Sequence, residues 1–249
     1  MLFNSEEKKM VRPFSAALAV AFVACPSATD ALDRGTEVAY KADPTWQPKV
    51  PLPLPSLGAM ASCAVGFDGS TFVGSRVKSV ADLPSVLVLD GTGQYVRGFG
   101  NGTMKSVHGM RMQHGSGGMD TLWVTDSAAS AVLKFDPANG KLLSTMGSKG
   151  TGVDPLQFGS VADVSFSSKG DVFISDGDGG INARVIKLNS AMQVQWINGN
   201  NGTVTPAEVF ASPHSLDYDD ASGTVSHAFS VCLLDTLCLH SVTHRVQNP

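Results

Sequence analysis

The feature that most constrains this chain is an internal repeat. Residues 158–202 read FGSVADVSFSSKGDVFISDGDGGINARVIKLNSAMQVQWINGNNG. VADVSF, DVFISD, RVIKLN and MQVQWING alternate apolar and polar residues, and Gly, Asn, Asp and Ser separate them. That pattern is the signal for an antiparallel meander of four strands. The unit recurs upstream: HGMRM at 108–112 stands where ADVSF stands at 162–166, TLWVTD at 121–126 matches DVFISD at 171–176, AVLKFD at 131–136 matches RVIKLN at 184–189, and KLLSTMG at 141–147 matches QVQWING at 193–199. CAVGF, STFVGS, SVLVLD and GQYVRGFG (63–100) repeat the order more loosely, and PHSLDY at 213–218 opens a further unit. A four-stranded unit recurring at roughly 50 residues cannot bury both its faces alone, so units must stack on one another.

The expected fold class is therefore all-β, a β-propeller with about three four-stranded blades over residues 61–220 and the stub of another. Composition agrees: of 249 residues 43% are hydrophobic, enough for a sizeable core. The net charge of −4 gives no basic footprint and argues against a nucleic-acid partner. No apolar run has the length expected of a mature membrane span.

Residues 1–30 read as a secretory signal. Lys8, Lys9 and Arg12 precede the apolar run FSAALAVAFVA (14–24), and small residues follow around Ser27 to Ala31. Residues 31–60 form a polar, then proline-rich lead-in ending in VPLPLPS (50–56). A secreted or lumenal location follows as an expectation. Cys63, Cys232 and Cys238 would remain after cleavage, an odd number in an oxidising compartment. Asn101 and Asn201 each open an NGT sequon in a turn between blades, so both are expected glycosylation sites.

Asp126, Asp163 and Asp176 lie at strand ends, where Asp caps turns by accepting backbone N–H bonds, and Arg184 is expected to pair with one of them. The DGDGG loop (176–180) carries two carboxylates but lacks the later ligands of a calcium-binding loop, so it reads as a solvated turn. No GxSxG, P-loop, HExxH or CxxC motif occurs. Residues 221–249 share no period with the blades and are expected to be a non-repeat tail that comes from truncation, alternative splicing or a mis-predicted exon, with a divergent cap as the alternative. The open face of the third blade, beyond Trp196 and Ile197, would then favour self-association through the propeller edge.

LWVTD with AVLKFD, then FGSVADVSF, VFISDG, ARVIKL and PHSLDYD, resemble NHL repeats, which as a rule build six-bladed propellers. Within that group the chain resembles secreted propellers related to the peptidyl-α-hydroxyglycine α-amidating lyase (peptidylamidoglycolate lyase). That family releases glyoxylate and an amidated peptide. The resemblance implies a zinc ion on three histidines of inner strands, of which His108 and His214 have counterparts here. It implies an arginine at the mouth, matched by Arg76, and a calcium ion held partly by main-chain oxygens at the positions of Cys63 and Met110. The chain departs from the lyase pattern where an SDGY-type loop carries a catalytic tyrosine: the loop here reads SDGDGG (175–180), with Asp178 and no tyrosine. Phenol and carboxylate differ in pKa by about six units. The expectation is thus a secreted, non-catalytic module that binds a protein or peptide ligand; the alternative is a zinc-dependent lyase-like enzyme.

Overall fold

The computed structural model describes residues 47–51, 57–77, 83–115, 119–150, 156–178, 182–200, 213–233 and 236–244, with side chains described up to 226 apart from Asn200. The expected signal, most of the proline-rich lead-in and Asn201 lie outside these residues.

The first blade is a four-stranded antiparallel sheet of β1 (Ala59–Val65), β2 (Thr71–Arg76), β3 (Val86–Leu89) and β4 (Tyr95–Phe99). The second has β5 (Val107–Gln113), β6 (Thr121–Asp126), β7 (Ala131–Phe135) and β8 (Leu142–Met146). A short parallel pair, β9 (Ser148–Lys149) with β10 (Gln157–Phe158), bridges the passage to the third blade. The third comprises β11 (Val161–Phe166), β12 (Val172–Asp176), β13 (Ala183–Leu188) and β14 (Val194–Asn200). In each sheet the strands follow chain order, and the first strands β1, β5 and β11 lie side by side. The molecule is a β-propeller, and these first strands line its axis.

The expected stub is a three-stranded sheet. β15 (Pro213–Asp219) packs against β11, and the backbone of the segment expected as a non-repeat tail supplies β16 (Thr224–Leu233) and β17 (Thr236–His244). In the β16–β17 ladder Cys232 stands opposite Leu237 and Cys238 opposite Val231.

Alternation along the second strands sends side chains to both faces, and both faces are covered. Leu122 and Val124 join Phe72, Val86, Val88 and Phe99 between the first two blades. Trp123, one residue between them, packs with Val161, Val164, Val172 and Ile174 of the third. Phe173 turns the other way, toward Leu216 and Val225 of the fourth sheet. DVFISD therefore reads as a half-exposed strand by period but is buried throughout β12. The same alternation separates Trp196 from Ile197: Trp196 packs toward the fourth sheet and Ile197 toward the second blade, so the two do not form one open face. Outer strands are less protected; in β8 Leu142 and Leu143 are exposed.

Three similar turns keep the repeat in step. Asp90, Asp136 and Asn189 occupy the same place between third and fourth strands, and each side-chain oxygen accepts backbone N–H groups from the turn: Thr92 and Gln94, Ala138, and Ala191 and Gln193. Gly100 and Gly147 follow the ends of β4 and β8 at φ +80° and +92°, and Gly199, at φ +108°, is the next-to-last residue of β14. At Gly147 a Cβ would also stand 2.2 Å from the Phe158 ring.

A second set of carboxylates is wholly buried. Asp126, at the end of β6, accepts the N–H groups of Lys105, Ser106, Ala128 and Ala129. Asp176, its equivalent in β12, accepts those of Gly159 and Ser160 through one oxygen; the other takes Asn182 Nδ2 and Arg184 Nε, at 2.7 and 3.0 Å. The partner expected for Arg184 is thus Asp176. Asp163 caps as well, accepting the N–H groups of Val164 and Leu216. Replacing Asp176 by Ala should cost about 3–5 kcal/mol in urea unfolding, because Arg184 would be left charged and buried. Asp136→Ala, which removes turn bonds at the surface, should cost about 1 kcal/mol. Equal losses in the two variants would mean that the buried pair carries no special weight.

Candidate functional site at the propeller axis

Inner strands are where a propeller brings distant residues together, and here each has a register slip near its start. The ladders slip between Met60 and Ser62, Val107 and Met110, Val161 and Asp163, and Pro213 and Ser215. The slip leaves out Ala61, the third residue of β1, His108 and Gly109 in β5, and the second residues of β11 and β15, Ala162 and His214, and a bulged residue turns away from the ladder direction. Among these residues, histidines recur in alternate sheets.

The structure brings the two histidines together, with ring centroids 4.5 Å apart in an edge-to-face arrangement. His108 is buried and His214 is about one third exposed. Between them stands Asp178, from the loop after β12. Its Oδ2 is 3.2 Å from His108 Nε2 and its Oδ1 is 3.6 Å from His214 Nε2. The loop is held by the main chain, since the amides of Gly177 and Asp178 both donate to Ser160 O. A solvated turn was the expectation for this loop; the described part carries a half-buried carboxylate that faces the axis.

His108 is oriented by the empty place in the pattern. Its Nδ1 lies 2.9 Å from Ala162 O, the carbonyl of the intervening bulge. A carbonyl only accepts, so Nδ1 carries the hydrogen and Nε2 is the nitrogen presented to Asp178. Thr125 Oγ1 donates to the same carbonyl at 2.7 Å and accepts the Gly109 N–H at 2.6 Å, which fixes both bulges to the second strand.

The electrostatics follow from this packing. His108 holds the Asp178 carboxyl below the usual range, with smaller help from His214 and Arg76. Burial, then the neighbouring His108, lowers the pKa of His214, against the opposing pull of Asp178 and Asp163. At neutral pH Asp178 is an anion and His214 a neutral imidazole. Arg76 ends β2 at the place that Asp126 and Asp176 hold in the later blades, and its Nε donates to Val107 O, beside His108, at 3.1 Å. Further along the axis Arg111 faces Asp163 and Asp217 at 3.4 and 3.5 Å and donates to Leu216 O.

The two positions that the resemblance gives to main-chain ligands lie within inner-strand ladders. Cys63 is in the β1–β2 ladder opposite Val73, and Met110 opposite Val124 in β5–β6. Among the described residues the group of three or more metal-binding side chains within reach of one another is His108, Asp178 and His214, their ligand atoms all within 4.8 Å. Asn101 lies in the exposed turn after β4. For zinc, which takes imidazole nitrogen and carboxylate oxygen alike, the donor chemistry fits: two imidazoles, one of them oriented through its other nitrogen, and one carboxylate. No third histidine joins them among residues whose side chains are described. Zinc bound here would act as a Lewis acid with an open position; the chain's part is to hold the ligands and limit water. Sequence pattern found both histidines but not Asp178 as their neighbour. The bulge, which carries no residue signature here, is what aims them.

No protein-family model matches the chain. It is 33% identical over 195 residues to NHL repeat-containing protein 3 of Homo sapiens, a match covering 76% of this chain and 53% of that protein. With NHL repeat-containing protein 3 of Mus musculus it shares 35% identity over 169 residues, 65% of this chain and 47% of that one. The chain spans about half the length of these curated relatives. A stretch of 118 residues, 45% of this chain, is 33% identical to 11% of the peptidylglycine alpha-amidating monooxygenase of Rattus norvegicus. Among solved structures, a protein of unknown function from Bacteroides thetaiotaomicron superposes with a TM-score of 0.53 at 14% identity, covering 68% of this chain and 44% of that one, a likeness of fold alone. The two curated NHL proteins support an NHL-repeat kinship for these blades.

Thr125→Val should cost about 1–3 kcal/mol, since it leaves the Gly109 N–H buried without an acceptor. It should also loosen the His108 Nδ1–H, seen by NMR as faster exchange with solvent. An unchanged exchange rate would show that the hydroxyl does not hold the bulge.

Proposed function

We propose that this NHL-repeat propeller is a secreted binding module that takes a protein or peptide ligand at the axis, where His108, Asp178 and His214 meet, and that it has no lyase activity. Asp178 carries this reading. Where the resemblance implies a phenol, the chain has a carboxylate whose pKa lies below even the ordinary carboxylate range. An ionised carboxylate accepts hydrogen bonds and offers no proton at the potential of a phenol. Imidazoles, a carboxylate and the Arg76 guanidinium in one place suit the mixed charges and amides of a peptide.

A second reading, a zinc-dependent lyase-like enzyme, draws on the meeting of His108 with His214 and on the similarity to a segment of the rat monooxygenase. One assay separates the two. The full chain, loaded with zinc and given a peptidyl-α-hydroxyglycine substrate, should release no glyoxylate above the rate of the His214→Ala variant. Turnover that His214→Ala abolishes would establish the lyase and end the non-catalytic reading.

The secretory part of the proposal has its own measurement. Expressed in secreting eukaryotic cells, the chain should enter the medium as a glycoprotein. Its gel mobility should shift on enzymatic deglycosylation, with a smaller shift in Asn101→Gln. Retention in the cytosol without modification would count against secretion.

A further inference from the structure

We propose that Asp178 is a metal ligand, and that with His108 and His214 it makes a two-histidine, one-carboxylate site for a divalent ion of the zinc type. This differs from the three-histidine set that the resemblance implies. It rests on the binding reading above, whose ligand would reach the ion through its open position, and it makes a separate claim about the chain's own donors.

Geometry supports it first. Zinc bonds of about 2.0–2.1 Å in tetrahedral array put ligand atoms about 3.3 Å apart. Asp178 lies 3.2 Å from His108 Nε2 and 3.6 Å from His214 Nε2. Both carboxylate oxygens thus sit near coordination spacing, and the third edge of the triangle closes within 4.8 Å.

The orientation of His108 supports it independently. With its Nδ1 hydrogen given to Ala162 O, the ring presents Nε2 to a carboxylate oxygen 3.2 Å away. An imidazole nitrogen and a carboxylate oxygen at that distance are bridged by a positive charge, a proton or a cation. A ring whose one N–H is tied to a backbone carbonyl, so that the other nitrogen is aimed into the site, is how metal-binding histidines are held. The three donors come from three successive sheets, on two bulges and a main-chain-anchored loop, so they converge only in the folded state. Nitrogen and oxygen donors in this ratio favour zinc and its neighbours over calcium or magnesium, which take oxygen.

The test uses the purified full chain stripped with chelator. Calorimetry with zinc should give one ion per chain, and cobalt should show the visible absorption of a four- or five-coordinate site. Asp178→Asn, nearly isosteric, should weaken zinc binding by more than about tenfold, while Asp178→His should restore a ligand and keep binding. Replacing His227, His240 and His244 together by Ala should leave binding unchanged. Zinc uptake that Asp178→Asn does not alter would overturn the assignment, as would no uptake at all, which would leave His108 and Asp178 an ion pair. If Asp178→Asn loses its near-ultraviolet circular dichroism, Asp178→His decides alone: loss of binding in a folded protein refutes the proposal. Glyoxylate release is read separately, so failure to bind zinc does not by itself decide the binding-module reading.

Discussion

A carboxylate buried at the end of a second strand is the interaction on which the rest of this propeller depends. Asp126 and Asp176 are wholly out of solvent, where an ionised group is tolerable only if it is fully hydrogen-bonded or paired. Each meets that demand by collecting the amides of the loop that leads into its own blade's inner strand, Lys105–Ser106 and Gly159–Ser160. The loop has no strand to pair with, so this carboxylate is its substitute ladder. Where the loop is pinned, the inner strand begins, and one residue later comes the bulge. The place of His108 at the axis therefore descends from Asp126. In the first blade Arg76 fills the equivalent position and binds a carbonyl, Val107 O, so it is joined to the entry of the next inner strand.

Much of this was legible in sequence because it repeats. The order of runs marked the blades. Asp126, Asp163 and Asp176 at strand ends were legible as caps, because a short side-chain oxygen beside unpaired N–H groups has few better partners. Arg184 was legible as someone's partner but not as that of Asp176, since two further acids competed for it. What stayed hidden depends on departures from period. A bulge adds a residue without a signature, so nothing at His108 or His214 announces that its ring leaves the ladder direction. Asp178 lies in an irregular loop, where its orientation depends on Ser160 O in a distant segment. The strands at 224–233 and 236–244 share no motif with the blades, and pairing there is a matter of backbone register.

The site differs from the cores beside it in how it is assembled. Cores between blades tolerate variation in residue identity, since apolar packing is non-directional. The cluster at the axis is directional throughout. Ala162 must offer its carbonyl, not its side chain, and Gly109 lies so close that an added Cβ would stand 2.5 Å from Ala162 O. Small residues at 109 and 162 are thus as much a part of the site as the rings they make room for.

Between sheets the main chain makes few ladder bonds: the four strands of a blade pair among themselves. Neighbouring sheets meet instead through side chains: on the inner strands Asp163 accepts the Leu216 N–H and Ser165 Oγ the Tyr218 N–H, and in the turns beyond them Asp220 takes both donors of Ser168. Such contacts work like an address written in a handful of side chains. Two blades of the same shape are consequently not interchangeable. A transplanted unit would match the apolar surface of its new neighbour yet present the wrong donors along the axis. The order of units along this chain is enforced there, by polar groups whose combined area is small beside that of the cores.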